Sequence, residues 1–320
     1  MNRYSLLIIG AGKIGAFYDE PGSKNVLTHA HAFRAHPGFN LLGFVDSNQQ
    51  QAGVAAQIWG GEAFATIDEA FARNSVDVAV VAVPDEEHFH ALLNLAVFPM
   101  KLIFTEKPLA KTISEAKQIV ELCRKREIPL AINYSRRYVP EFNKLRKRIG
   151  AGELGRFLTG TGWYGKGTLH NGSHMVDLIR YLLGEVSVIS TLGGIVDWRD
   201  DDPTCSALLE TECGGRFIMQ AVDCRCYTVF EMDLFFEHSR VRLVNSGFFF
   251  EEYNVVDSPV FSGYQVLSDG ERYTTGLGVA LSAAAASLHD FLAMGAPLPC
   301  KGDDGLRALQ ACTAIIGGFA

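Results

Sequence analysis

Paired cysteines are missing from this sequence. Its seven cysteines are scattered, and an odd count without a framework spacing excludes a disulfide scaffold and points to a reducing compartment. The one close pair, Cys224-Arg-Cys226, lacks the second pair that would complete a zinc site, which leaves ordinary free thiols. A basic excess is missing too: 29 Lys and Arg stand against 36 Asp and Glu, a net charge of −7, with a pI near 5.7. That balance excludes nucleic acid and an acidic membrane surface as main partners. No apolar stretch reads as long and unbroken enough to span a bilayer, and the amino terminus runs directly into a strand pattern without a leader signature. A cytoplasmic protein is expected. Repeats and low-complexity tracts are absent, Ala283–Ala286 coming nearest and suiting a packed helix. What remains is 48% apolar and 20% charged over 320 residues, a globular profile with length for one large domain or two ordinary ones.

The most informative stretch is the first. Leu6, Leu7, Ile8 and Ile9 form a continuous apolar run, as expected of a strand buried on both faces. Gly10, Gly12 and Gly15 follow in the spacing G-x-G-x-x-G around Lys13 and Ile14. The first glycine permits a tight turn, the second lets a pyrophosphate approach the backbone, and the third lets a helix pack against the strand. A helix opening near Lys13 would turn its unpaired N–H groups towards that phosphate. A second strand, Asn40–Val45, ends at Asp46, where a carboxylate can accept hydrogen bonds from a ribose. The interval from Gly15 to Asp46 exceeds the usual one, and a Pro/Gly/Ser/Asn-containing loop, Phe17–Leu27, takes up the excess before a helix over His29–Ala35. An ordinary strand-to-helix turn is the alternative; strand, helix and acid in order favour dinucleotide binding.

Strands alternating with helices continue to Leu130–Asn133, by way of Ala63–Ala65, Val76–Val83 and Lys101–Thr105. Thr112-Ile-Ser-Glu115 is a capping box. Six such strands imply an α/β fold with a doubly wound parallel sheet and ligands at the strands' carboxyl ends. After Asn133 the pattern changes. A helix over Tyr138–Ile149 precedes strand-like segments such as Phe217–Val222 and Phe230–Phe236, and helices over Leu281–Met294 and Gly305–Ile316 close the chain. The expectation is a dinucleotide-binding domain over 1–133 and an α+β domain over 134–320, built on a large, open, mostly antiparallel sheet. So many aromatics on an open sheet require cover, hence a homodimer or homotetramer through that sheet.

Two clusters carry chemistry. The fifth strand ends in Glu106-Lys107-Pro108, and Pro108 biases Lys107 towards extended geometry at the crevice. There a lysine could hold a substrate oxygen and pass a proton; a surface Glu–Lys pair is the alternative. The second is His170-Asn171-Gly172-Ser173-His174-Met-Val-Asp177. Gly172-Ser173 reads as turn and cap, with His174 in the first turn of the following helix, where the dipole favours a neutral base, and Asp177 three residues on to orient the ring. A polar helix start is the plain alternative. A metal held by His170, His174 and Asp177 lacks a partner motif, and none is expected.

Glu106-Lys107-Pro108 after such a strand series, followed by Gly172-Ser173-His174-Met-Val-Asp177, resembles the Gfo/Idh/MocA family, the glucose–fructose oxidoreductase and inositol dehydrogenase group. The resemblance extends over essentially the whole chain, through Asn133-Tyr-Ser-Arg136-Arg137-Tyr138 and Asp304-Gly305-Leu306-Arg307-Ala308. It implies a Rossmann domain and hydride transfer between NAD(H) or NADP(H) and a hydroxyl or carbonyl carbon of a sugar, nucleotide sugar or cyclic polyol. It further implies Lys107 at substrate and nicotinamide, His174 as acid/base, and Pro84, His88 and Glu106 along the cofactor. Asp46, followed by neutral Ser47, Asn48 and Gln49, favours NAD over NADP. Arg136, Arg137, Trp163, Lys166 and Asn171 are candidates for a polyhydroxylated, anionic substrate, with neutralisation of Glu141 as an alternative duty for one arginine.

The chain departs from the family pattern where an aspartate is common four residues before the histidine; here that position is His170. The proton path then falls to His170, Asp177 or Asn171. A dinucleotide-binding regulator without chemistry and a hydrolase using tightly held NAD are the competing readings. In the Phe17–Leu27 loop, Tyr18, Asp19 and Lys24 read as a solvated surface rather than a cover for the cofactor.

Overall fold

The first strand, β1 (Tyr4–Ile9), has Leu6, Leu7 and Ile8 wholly buried because it lies inside a sheet covered on both faces. In the computed structural model, which describes residues 3–319, this sheet holds β2 (Phe39–Val45), β3 (Glu62–Phe64), β4 (Val78–Val81), β5 (Leu102–Thr105) and β6 (Leu130–Ile132). Their order is β3-β2-β1-β4-β5-β6, all parallel. The chain therefore leaves β1 and β4 in opposite directions, which opens a crevice at their carboxyl ends. Helices α1 (His29–Ala35), α2 (Gln49–Trp59), α3 (Ile67–Arg73), α4 (His88–Leu95) and α5 (Ile113–Lys125) link the strands. The side chains of Thr28, Asn48, Thr66 and Thr112 cap α1, α2, α3 and α5, and Thr112–Glu115 forms the full capping box.

The helix expected at Lys13 is a single turn, Lys13–Phe17. The chain then leaves the helical path, and a true helix starts only at Thr28, after the inserted loop. That loop is built rather than loose. Asp19 accepts the backbone N–H of Leu27 (2.7 Å), the hydroxyl of Thr28 (2.5 Å) and the ring Nδ1 of His31 (2.8 Å), and its side chain is only 3% exposed. Tyr18 and Lys24 do face solvent, as expected. Burial pushes the Asp19 carboxyl up, but the bonds from Thr28, Leu27 and His31 outweigh it and hold it below the usual range. A depressed carboxylate stabilises the fold above its unfolded pKa of about 3.9, and that contribution is lost as pH falls through the folded value. Asp19→Asn should therefore speed hydrogen exchange at the Leu27 amide by roughly tenfold at neutral pH, about 1.4 kcal/mol; the difference should fade only as pH falls below the ordinary carboxylate range, through the depressed Asp19 value.

The second sheet is distinct. Helix α6 (Pro140–Gly150) begins with Pro140 in its first turn, where no N–H is needed. After it come β7 (Phe157–Tyr164), α7 (Ser173–Leu183), β8 (Val186–Arg199), β9 (Asp202–Thr211) and β10 (Arg216–Ala221). Then follow β11 (Phe230–Phe236), β12 (Ser239–Val244), β13 (Phe249–Asp257), β14 (Gln265–Leu267) and β15 (Glu271–Thr274). The order is β14-β13-β12-β11-β7-β10-β9-β8 with β15 on β13, and only the β7–β10 pairing is parallel. Phe142, Leu145, Leu178 and Leu182 of α6 and α7 close on Met232, Leu234, Val241 and Leu243. On other parts of the sheet Leu158, Ile189, Leu192 and Ile218 are exposed.

Two helices end the chain, α8 (Ala280–Met294) and α9 (Gly302–Gly317). By packing the chain divides into one unit of Met1–Tyr138 with Gly278–Leu309 and another of Val139–Leu277 with Gln310–Ala320. A division at 133/134 puts α8 in the second domain; instead α8 packs with the first, where the Tyr4 hydroxyl donates to Leu292 O at 2.9 Å. Leu277–Met294, with mean hydropathy 1.5, is also long and apolar enough to cross a membrane by length and composition, contrary to the expectation that no stretch is. Here Ala280, Leu281, Ala284, Ala285 and Leu288 turn inward as the helix's core face.

Candidate active site

In the first unit the glycine-rich turn has the geometry its spacing requires. Gly10 has φ +98°, and a Cβ there would lie 2.5 Å from Ala82 O. A Cβ on Gly15 would lie 2.2 Å from Gly10 O, whereas one on Gly12 would meet nothing within 4 Å. The second glycine thus faces open space of the kind a phosphate needs, and Lys13 and Ile14 follow it into the turn. Asp46 is fixed beside it: Oδ2 accepts Ala11 N–H at 2.8 Å and Oδ1 accepts Asn48 N–H at 2.8 Å. Gln51 ties the same turn down by donating to Ala11 O at 2.8 Å. Gly12→Ala should leave the melting temperature close to wild type but weaken affinity for a nicotinamide dinucleotide at least tenfold. Gly15→Ala, by contrast, should destabilise the protein. Calorimetric melting and titration separate the two.

At the ends of β4 and β5, His88 is wholly buried, with Nδ1 2.6 Å from Pro108 O and Nε2 3.1 Å from Val83 O. It shapes the two loops, Pro84 among them, rather than presenting its ring to a ligand. Lys107 is half-buried and precedes a cis peptide to Pro108. Glu106 Oε1 lies 2.8 Å from His29 Nε2 and accepts from Asn133 Nδ2 at 2.6 Å. Burial would raise the Glu106 carboxyl, but His29, Asn133 and the charge of Lys107 hold it below the usual range. Arg136 and Arg137 sit in the buried turn Ser135–Tyr138. Arg137 pairs with Asp304 at 3.2 Å and donates to Pro299 O at 3.3 Å, both within the first unit.

In the second unit the expected cap at Gly172-Ser173 is absent. A helical turn over Gly167–Gly172 runs straight into α7, so Ser173 is the first helical residue and makes no capping bond. Asp202 clamps that turn, accepting Leu169 N–H at 2.7 Å and His170 N–H at 2.9 Å. Burial keeps the Asp202 carboxyl raised despite these bonds. Asp202, from β9, thus fixes the backbone at position 170. Lys166, at φ +72°, donates its N–H to Asp197 Oδ2 at 2.9 Å and holds its ammonium 4.3 Å over the Trp198 ring, on which His170 also stacks. Asn171 donates to Gly165 O at 2.9 Å, and His174, half-buried, stands edge-on to Phe230.

The structure does not bring all the candidates together. Asp177 is buried, with its Oδ1 3.8 Å from Arg180 Nη1, so its carboxylate also faces that arginine. Trp163 lies between Gly162 and Tyr164 on β7, and strand alternation turns it to the sheet face opposite theirs. Sequence reasoning missed Asp197, Trp198 and Asp202. They stand in a hairpin whose acids resemble turn residues, and their partners lie some thirty positions back.

Residues 4–134 match the Gfo/Idh/MocA family, described as an oxidoreductase family with an NAD-binding Rossmann fold. An inositol 2-dehydrogenase of Corynebacterium glutamicum is 31% identical over 153 residues, which is 47% of this chain and 42% of the relative. One from Rhizobium meliloti is 26% identical over 241 residues, 68% of this chain and 67% of the relative. The chain thus aligns over less than half the length of the first of these. In fold, it resembles the WlbA dehydrogenase from Bordetella pertussis, solved with NADH and UDP-GlcNAcA, with a TM-score of 0.81 and 18% identity over 99% of this chain and 96% of that one. The match to the Gfo/Idh/MocA family of oxidoreductases lies in the first domain, residues 4–134, which is less than half of the chain.

Proposed function

We propose that this protein is an NAD-dependent dehydrogenase acting on a hydroxyl or carbonyl carbon of a sugar, nucleotide sugar or cyclic polyol. The observation that carries the reading is the pairing of an open Gly12 with a fixed Asp46 at the end of β2. The residues fit the cofactor: the Gly10–Gly15 turn would take the pyrophosphate and Asp46 the ribose hydroxyls. A carboxylate there repels a 2′-phosphate, which selects NAD over NADP. When bound, NAD supplies the hydride acceptor. Lys107 would hold and polarise the substrate oxygen, and His174 would take its proton. The names of the relatives, inositol dehydrogenases among them, support a polyol or sugar. The exposed apolar side chains of the second sheet support association of copies through it, and the acidic composition suits the cytoplasm.

The test is absorbance of reduced nicotinamide with purified protein, NAD or NADP, and a panel of inositols, sugars and nucleotide sugars. Turnover with NAD that Lys107→Ala abolishes is the expected result. Binding of NAD without turnover on any substrate would favour a regulator. Cofactor that survives purification, with glycoside cleavage and no net NADH, would favour a hydrolase.

A further inference from the structure

A largely buried carboxylate, Glu106, precedes Lys107 and is held by side chains from distant segments. Glu106 follows the last residue of β5, and its backbone N–H donates to Val81 O at 2.9 Å. Its side chain is gripped from two further elements. The His29 ring reaches it from the start of α1 at 2.8 Å, and the Asn133 amide from the end of β6 at 2.6 Å. An ionised carboxylate only accepts, so His29 Nε2 and Asn133 Nδ2 are both donors. The ring of His29 is itself fixed, edge-on to Phe104 at 5.5 Å and stacked with Phe33 at 6.3 Å. On the far side of Lys107, Pro108 O is bound by His88. The lysine therefore sits between two anchored residues.

The arrangement has a cost that a purely structural cluster would avoid. His29 Nδ1 and Asn133 Oδ1 are both buried without a hydrogen-bond partner among the described residues. Each such atom carries a desolvation penalty that apolar side chains of similar shape would remove. The hydrogen-bond chain also stops at those two atoms, so it leads no proton away from Glu106. It holds.

Building on the dehydrogenase reading, we propose that His29 and Asn133 are positioning residues, which clamp the Glu106 carboxylate so that it orients the Lys107 ammonium and keeps it charged. An opposite charge fixed beside an ammonium favours the protonated form. Loosening or removing that charge should lower the pH at which Lys107 loses its proton.

Competitive labelling of Lys107 with an amine-acylating reagent across pH, read by mass spectrometry, tests this without any need for turnover. Glu106→Gln and His29→Leu should each move the Lys107 midpoint down, by about one pH unit for Glu106→Gln. His29→Gln, which keeps a donor near the Nε2 position, should restore it. Where a substrate is in hand, His29→Leu should lower kcat/KM roughly 10–100-fold through kcat, with NAD affinity unchanged. If His29→Leu does not fold, Asn133→Ala serves in its place, and the near-isosteric Glu106→Gln carries the labelling test alone. An unmoved midpoint in folded Glu106→Gln and His29→Leu overturns the proposal. Absence of turnover in the wild type with a shifted midpoint would instead count against the dehydrogenase reading and leave the clamp standing.

Discussion

Replacing His174 with alanine lowers kcat by about 10²–10⁴-fold while NAD still binds, if the ring carries the proton as proposed. The size of the effect follows from how firmly the side chain is placed. The turn before α7 is clamped by Asp202 through two backbone N–H groups. Gly172 lies so close to Tyr164 that a Cβ would meet its ring at 2.6 Å. Tyr164 is in turn buried, its hydroxyl donating to Cys205 O at 2.6 Å and lying 3.0 Å from Thr168 Oγ1. His174 thus projects from a backbone with little freedom, which is what a proton-transferring group needs. Single-turnover kinetics with NAD, alongside a fluorescence titration of NAD binding, would separate the chemical step from cofactor affinity. A loss below tenfold would hand the proton to another group.

The structure also says which parts of this arrangement a sequence can display. The Gly10–Gly15 turn, Asp46 and the Thr112 capping box were legible because each depends on residues a few positions apart or on the strand period. The alternating strand Phe230–Phe236 appears with the bounds its pattern suggests, since one face is buried throughout. Interactions between distant segments leave no such trace. His29 reads as a helix residue until Glu106 and Asn133 are folded against it. Asp202 reads as one acid in a run of three, and nothing local announces that it clamps residues 169 and 170. The start of α7 misled for a related reason: Gly-Ser before an apolar run is a capping signal, but here the preceding turn already supplies the helix's first N–H partners. Helix α8 is long and apolar because one face enters the core of the first unit, so neither its domain nor its surroundings follow from composition.

Arg180→Leu should be the most destabilising substitution of an ionisable residue in α7, at about 3–5 kcal/mol. The Arg180 and Asp177 side chains are 2% and 3% exposed, with Nη1 3.8 Å from Oδ1. The same guanidinium grips Glu185 with Nε and Nη2 at 2.9 Å each, and Glu185 is half in solvent. Removing the arginine would leave Glu185 free to rehydrate, but would strip the buried Asp177 carboxylate of its nearby cation. The cost therefore sits with Asp177, not with the more ideal-looking Glu185 contact. Glu185→Gln should accordingly cost about 1 kcal/mol or less, as an exposed partner does. Asp177→Asn in the Arg180→Leu background should recover part of the loss, because a neutral amide is far cheaper to bury than a charge that has lost its nearby arginine. Urea unfolding of wild type, Arg180→Leu, Glu185→Gln, Asp177→Asn and the Asp177→Asn/Arg180→Leu double variant measures each term. Full additivity of the Asp177 and Arg180 substitutions would mean that the two side chains do not share their charge, and that Asp177 is held by other groups, leaving it open to serve His174 after all.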